Sequence, residues 1–371
     1  MKKVLFLIHD LGQGGAEKVL VNLVNNMDYS KFDITVMTLF DCGENRHFLN
    51  SNIKYKSWCK YMFPGNSHLM KFFSSRRLHQ MIIKEHYDIE ISYLEGPCAR
   101  VISGCVDHTT KLVSWIHCDL NTQKKAATSF RNIKEAEKCY NKFNKVVCVS
   151  ESVRKNFIKN LRITVPTEVL YNTNDSEKII NNAKENVKEI NFSKDKINLI
   201  GVGKLFKNKG FDRILKITNM LVSEGYPIHT YILGEGPERK YLENYIDNNN
   251  LKNCVTLLGY QLNPYKYISK CDLFVCSSFA EGFSTAATEA LIIGIPVCTV
   301  NVAGMNEMLG YNNEYGIVTS NNETALYKAI KSMLDNRELF RYYTNMAVKR
   351  GKQFNTTNTV GKVENMLDTL E

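Results

Sequence analysis

Proline is scarce in this chain, 7 in 371 residues, tryptophan occurs twice, and glycine reaches only 21. That poverty excludes collagen-like and proline-rich disordered structure. Among the 11 cysteines, an odd count, no Cys-x-x-Cys pair occurs. Neither a closed disulfide framework nor a zinc ribbon is written in that spacing; the thiols read as reduced cytosolic side chains, and zinc is not expected. The opening MKKVLFLIHD places only five apolar residues, Val4 to Ile8, before His9 and Asp10, too few for a signal peptide. Toward the C-terminal half the run Ala290 to Met305, sixteen residues without a charge, is broken by Gly294, Pro296 and Asn301. A bilayer crossing needs roughly 20 apolar residues, so no membrane span is expected.

What is present is globular: 44% hydrophobic and 23% charged residues. At roughly 150 residues per domain this length predicts two domains. Short apolar runs alternate with helical patterns, the signature of a parallel sheet covered on both faces. Strands are expected at Val4–Ile8, Ile34–Leu39, Ile89–Leu94, Leu112–Ile116 and Val146–Val149, then at Ile197–Val202, His229–Leu233, Val255–Leu258, Leu273–Cys276 and Val297–Val300. Residues 173–196 are polar, rich in Asn and Lys, and read as a linker. The expected organisation is a Rossmann-like domain over 1–172, the linker, and a second Rossmann-like domain over 197–350. A C-terminal helix in 351–371 is expected to return toward the first domain.

Charge is uneven. Residues 1–170 hold 25 Lys and Arg against 16 Asp and Glu, while the remainder hold 23 against 22. Within residues 45–84 stand Arg46, Lys54, Lys56, Lys60, Lys71, Arg76, Arg77 and Lys84 with no acidic residue, interleaved with Tyr55, Trp58, Tyr61, Phe63, Phe72 and Phe73. Cations beside aromatic rings suit an anionic membrane surface or a phosphorylated lipid. They equally suit a solvated face over a core helix. No recognised nucleic-acid motif accompanies them.

Three stretches carry chemistry. Gly12-Gln13-Gly14-Gly15-Ala16-Glu17 follows the first strand, where glycines let backbone approach an anion at a helix N-terminus; Glu17 stands where a dinucleotide fingerprint needs its third glycine. Gly203-Lys204 through Lys209-Gly210-Phe211 places three lysines at the mouth of a strand, where ammonium groups can neutralise a diphosphate. Glu281 and Glu289 bracket a strand-to-helix junction. Eight helical steps separate them by roughly 12 Å, too far to share a proton, with Glu289 expected off the buried stripe of 283, 286, 287, 290 and 291.

Glu281 to Glu289 resembles the E-x7-E motif of the retaining family 4 glycosyltransferases, and Gly203 to Phe211 resembles that family's G-R/K-x5-K-G-F stretch. Gly234-Glu235-Gly236-Pro237 is similar to its G-x-G-P loop, Gly12 to Glu17 to its G-G-A-E loop, and Ser114-Trp115-Ile116-His117 to the strand ending in its active-site histidine. Tyr171 to Asp175 resembles its Y-N-P-x-D, with Thr173 in place of proline.

The resemblance implies an α/β GT-B fold, two Rossmann-like domains facing a cleft, with the acceptor on the first and a nucleotide-sugar donor, UDP-linked, on the second. Carried over, Lys204 and Lys209 bind the diphosphate, Glu281 the donor sugar and Glu289 the ribose. Gly203 lines the donor site; Gly282, Phe283 and Ser284 border sugar and phosphate; Gly234, Glu235, Gly236, Pro237 and Tyr260 border the base. Gly15 completes the phosphate site, and His117 meets the reacting sugar. No Asp-x-Asp occurs, so no metal and no cofactor are expected. The implied reaction transfers a hexose or N-acetylhexosamine, with retention, to a glycan acceptor carried on a polyprenyl diphosphate in surface-polysaccharide synthesis. Lys71, Arg76 and Arg77 would meet acceptor or anionic membrane, placing the protein at the inner face of the cytoplasmic membrane. An epimerase of nucleotide sugars, or a non-catalytic binder of them, fits the same residues.

Overall fold

A computed structural model describes residues 1–62 and 65–370. It divides the chain into two compact units, one of Met1–Thr173 with the chain from Thr356 on, the other of Asn174–Asn355. The first unit holds a seven-stranded sheet of β1 (Lys2–Ile8), β2 (Phe32–Phe40), β3 (Lys54–Cys59), β4 (Ile89–Ser92), β5 (Lys111–Ile116), β6 (Lys145–Cys148) and β7 (Thr167–Val169), in the order β3-β2-β1-β4-β5-β6-β7. All its pairs are parallel; Val4 sits opposite Ile34 on one side and Ile89 on the other. Val4 to Ile8 are wholly buried, as befits a central strand with helices over both faces.

The second unit holds β8 (Ile197–Val202), β9 (Ile228–Leu233), β10 (Val255–Gly259), β11 (Leu273–Cys276), β12 (Val297–Val300) and β13 (Ile317–Thr319), parallel throughout, in the order β10-β9-β8-β11-β12-β13. Its core joins Leu199, Ile232 and Val275 of the sheet to Ile214, Leu215 and Leu221 of the helix Phe211–Ser223 and to Leu326 and Ile330 of the helix Glu323–Asp335.

Ten strands match the expected apolar runs. The three that the apolar pattern misses, β3, β7 and β13, are all edge strands, which need no continuous apolar run because one side of the ladder meets no other strand. The segment expected as a linker contains the helix Ser176–Ala183, N-capped by Asp175, whose Oδ1 accepts from Lys178 N at 3.0 Å. This helix buries Ile179 and packs on the helices Tyr265–Ile268 and Thr285–Ile293, while residues 184–196 beyond it form no further helix or strand. At the other end, the helix Thr356–Asp368 packs within the first unit: Lys2 Nζ donates to Leu367 O at 3.0 Å, and Asp28 N donates to Glu364 Oε1 at 2.6 Å.

Candidate active site

In open parallel sheets ligands lie beyond the carboxyl ends of the strands, where the strand order reverses. In the second unit that reversal falls between β8 and β11. The loops leaving these strands, 203–210 and 277–284, carry the lysine stretch and Glu281. There Lys209 Nζ lies 2.7 Å from Glu281 Oε1, and Ser278 Oγ donates to the same oxygen at 2.6 Å. The two loops are bonded to each other by Phe279 N to Asn208 O at 2.8 Å and by Ser277 Oγ to Gly210 O at 2.8 Å. Gly210 has φ +64°, and a Cβ there would lie 2.4 Å from Ser277 O, so this approach requires glycine. Behind the loops, buried Arg213 donates to Ser277 O at 3.2 Å and Asn321 Oδ1 at 2.6 Å, its guanidinium 3.6 Å from the centre of the Phe279 ring.

The other second-unit residues that the sequence singles out lie in the same unit. Lys204 is exposed at the start of its loop. Gly203 N donates to Leu233 O at 3.0 Å, and Gly234, at φ +140°, comes so near that a Cβ would stand 1.9 Å from Gly203 O. A Cβ at Gly236 would lie 2.6 Å from Leu205 O, so bare backbone lets the loops after β8 and β9 press together. Glu235 pairs with Arg239, Pro237 is exposed, and Tyr260 stands half-exposed just beyond β10. Gly282 and buried Phe283 lead to Ser284, whose Oγ accepts from Ala287 N at 3.4 Å and caps the helix Thr285–Ile293.

Glu289 corrects the sequence reading. It does not stand off the buried stripe; it is 3% exposed, with Oε1 accepting from Tyr265 Oη at 3.2 Å. A single-face stripe presumes one buried side, whereas this helix is packed by three others, Ser176–Ala183, Tyr265–Ile268 and Arg337–Gly351.

In the first unit the strand order reverses between β1 and β4. Beyond β1, His9 Nδ1 lies 2.6 Å from Asp10 Oδ2, and Asp10 Oδ1 accepts from Gly12 N at 2.8 Å. Gly15 opens the helix Gly15–Asn25. Beyond β4, Glu95 Oε2 accepts from the backbone N of His117 at 2.9 Å. His117 directly follows β5 with its ring 4.9 Å from the Tyr93 ring, and its buried Nε2 has no hydrogen-bond partner among the described residues. Burial lowers its pKa to about 4, against the opposing pull of Glu95. The side chain is therefore a neutral imidazole at pH 7 with one unsatisfied nitrogen, suited to a hydroxyl of a bound ligand.

Motif matching does not find Asp10, Glu95, Ser278 or Arg213. The signal available for the first three was position: each follows the end of a parallel strand by a few residues. For Arg213 there was none, because an arginine inside a helix reads as solvated.

The basic segment behaves differently from its composition. Arg46 pairs with Asp41 at 2.6 Å, Lys54 with Asp33 at 2.6 Å and Lys56 with Glu85, acids brought in from outside residues 45–84. Arg76 and Arg77 remain exposed on the helix Ser75–Ile82, which buries Leu78 and Ile82, and Arg77 stacks over Phe73 at 5.4 Å. Lys71 follows the helix Asn66–Met70, next to Phe72, which is 81% exposed, and Tyr61 is 71% exposed. Phe63 lies outside the described residues.

The family model of glycosyl transferases group 1 matches residues 182–350, and that of glycosyltransferase family 4 matches residues 13–178. The chain belongs to glycosyltransferase family 4. Its two parallel-sheet α/β units are those of the GT-B fold. This family 4 transferase is 28% identical, over 95% of its length and 96% of the relative's, to the N-acetylgalactosamine-N,N'-diacetylbacillosaminyl-diphospho-undecaprenol 4-alpha-N-acetylgalactosaminyltransferase of Campylobacter jejuni. A second Campylobacter jejuni protein, the alpha-1,4-N-acetyl-D-galactosaminyltransferase acting on GalNAc-alpha-(1->4)-GalNAc-alpha-(1->3)-diNAcBac-PP-undecaprenol, is 24% identical over 95% of each chain. Among solved structures, Anabaena HepE in complex with UDP superposes on the transferase with a TM-score of 0.78 at 19% identity, over 99% of this chain and 100% of that one. At that identity the likeness concerns the fold.

Proposed function

We propose that the chain transfers a hexose or N-acetylhexosamine from a UDP-linked donor, with retention of anomeric configuration and without a metal, to a hydroxyl of a polyprenyl-diphosphate-linked glycan. The observation that carries this reading is the Lys209–Glu281 pair at the strand-order reversal of the second unit. Breaking the anomeric C–O bond to a nucleotide puts negative charge on the diphosphate and positive charge on the sugar. Lys209 and exposed Lys204 answer the first charge, helped by the helix N-terminus at Ser284. Glu281, held by Lys209 and Ser278, presents a fixed carboxylate to donor-sugar hydroxyls. Glu289 takes the ribose, the loop of Gly234 to Pro237 and Tyr260 take the base, Gly203 lines the donor site, and Gly282 to Ser284 border the sugar. In the first unit Gly15 supplies backbone to phosphate and the orphaned Nε2 of His117 bonds a sugar hydroxyl.

The lipid-linked acceptor is supported by the two Campylobacter jejuni relatives, both of which act on diphospho-undecaprenol glycans. With it goes a role in surface polysaccharide synthesis at the inner face of the membrane. Lys71, Arg76 and Arg77 meet anionic headgroups; no described helix is long and apolar enough to cross.

Release of UDP from a panel of UDP-hexoses and UDP-N-acetylhexosamines, with an undecaprenyl-diphosphate-linked glycan as acceptor, tests the reading. Lys209→Ala and Glu281→Ala are each expected to lower kcat/KM by about 10²–10³ while leaving the thermal transition in place. Wild-type turnover in either variant refutes the site assignment. Donor conversion seen by NMR without acceptor makes the protein an epimerase, and donor binding with no turnover makes it a binding module.

A further inference from the structure

In the first unit, away from the strand-order reversal, His79, Glu90 and Cys105 converge from three separate elements. His79 lies on the helix Ser75–Ile82, Glu90 on β4, and Cys105 in the turn after the helix Pro97–Ile102. One ligand atom from each lies within 4.8 Å of the other two. His79 Nε2 is 2.8 Å from Glu90 Oε2, and Glu90 is 2% exposed. Nothing in the transfer reaction uses these residues.

The packing that assembles them is specific. A Cβ on Gly104 would lie 2.0 Å from Ser75 O, so glycine at 104 is what lets the turn bearing Cys105 close onto the helix bearing His79. Imidazole, carboxylate and thiolate are the donor types that zinc takes. Donors at 2.0–2.3 Å around a tetrahedral ion stand roughly 3.3–3.8 Å apart, so this cluster closes with adjustments of about 1 Å. Cys105 is only partly buried and gives a route in from solvent. The absence of Cys-x-x-Cys concealed the set, since spacings of 11 and 15 residues match no zinc motif.

We propose that His79, Glu90 and Cys105 bind one divalent transition-metal ion of the zinc class, with water in the fourth position, tying the helix Ser75–Ile82 to the sheet. On binding, the thiol and the imidazolium each release a proton to solvent, and imidazole nitrogen, thiolate and carboxylate bond the ion.

Cobalt(II) is the probe, added to the full-length protein after chelator treatment. One equivalent is expected to produce the visible bands of a tetrahedral centre and a near-ultraviolet thiolate-to-metal band, all displaced by one equivalent of zinc. Cys105→Ser is expected to abolish the thiolate band and weaken cobalt binding by at least about tenfold. Cys118→Ser, at an exposed cysteine remote in sequence, is expected to leave both unchanged. Amide exchange in residues 75–82 should slow on zinc addition in the wild type and not in Cys105→Ser. No thiolate band in the wild type, or a band that survives Cys105→Ser, overturns the proposal.

Discussion

His117 shows what burial does to one side chain. Its folded pKa of about 4 lies below the ordinary 6.5, so between those values the unfolded chain takes up a proton that the folded chain refuses. Stability from this residue is whole above pH 6.5 and drains as pH falls toward 4, a span of about 3 kcal/mol. Between pH 7 and pH 5, urea unfolding of the wild type should therefore lose about 2 kcal/mol more than His117→Gln loses. Equal losses would mean that the imidazole is not held neutral. Legibility at this scale varied with where a residue's partners come from. Lys209 and Glu281 stand 72 positions apart, yet each sits in a stretch with its own glycine pattern, so both could be read. Ser278 and Glu95 matter through what they touch, and no local pattern announces a contact. The burial of Glu289 was illegible for a related reason: Tyr265, its partner, comes from another helix.

Among the elements, the turn after the helix Asn66–Met70 shows backbone held by a distant side chain. Fully buried Arg100 donates to Met70 O and Phe73 O, each at 2.6 Å, and to Glu135 Oε1 at 3.0 Å, while Arg131 Nε donates to Lys71 O at 2.7 Å. The planar fork reaches several acceptors at once, which a lysine ammonium cannot do. Arg100→Lys should therefore cost about 2–3 kcal/mol in chemical denaturation and speed amide exchange around residues 70–73. Unchanged exchange there would show that the turn stands without it. The exposed Phe72 is thus fixed by residues about 30 and 60 positions downstream. The nine strands with a strand on either side were all legible as apolar runs, as was one edge strand, β10. The edge strand β3, Lys54–Cys59, alternates lysines with aromatics and signals charge rather than sheet.

For the molecule as a whole, the formal charge of +10 belongs almost entirely to the first 170 residues. If anionic headgroups are its counterpart, Arg76→Glu with Arg77→Glu should lower binding to phosphatidylserine vesicles roughly thirtyfold or more, at about 1 kcal/mol per basic side chain lost. Sedimentation with vesicles that is indifferent to the double reversal, or to the anionic lipid, counts against a membrane role. The two-unit organisation was legible from alternating runs, but the membership of residues 174–196 was not, since their helix has a single buried residue to show. The closing helix carries a different consequence. Because Thr356–Asp368 completes the unit that the first 173 residues begin, a ribosome must make the entire second unit before the first can finish packing. At 5–20 residues per second that interval is roughly 10–40 s, during which the groove awaiting the helix is open to chaperones. A premature stop near the 3′ end of the message would consequently damage the half of the protein that was translated earliest.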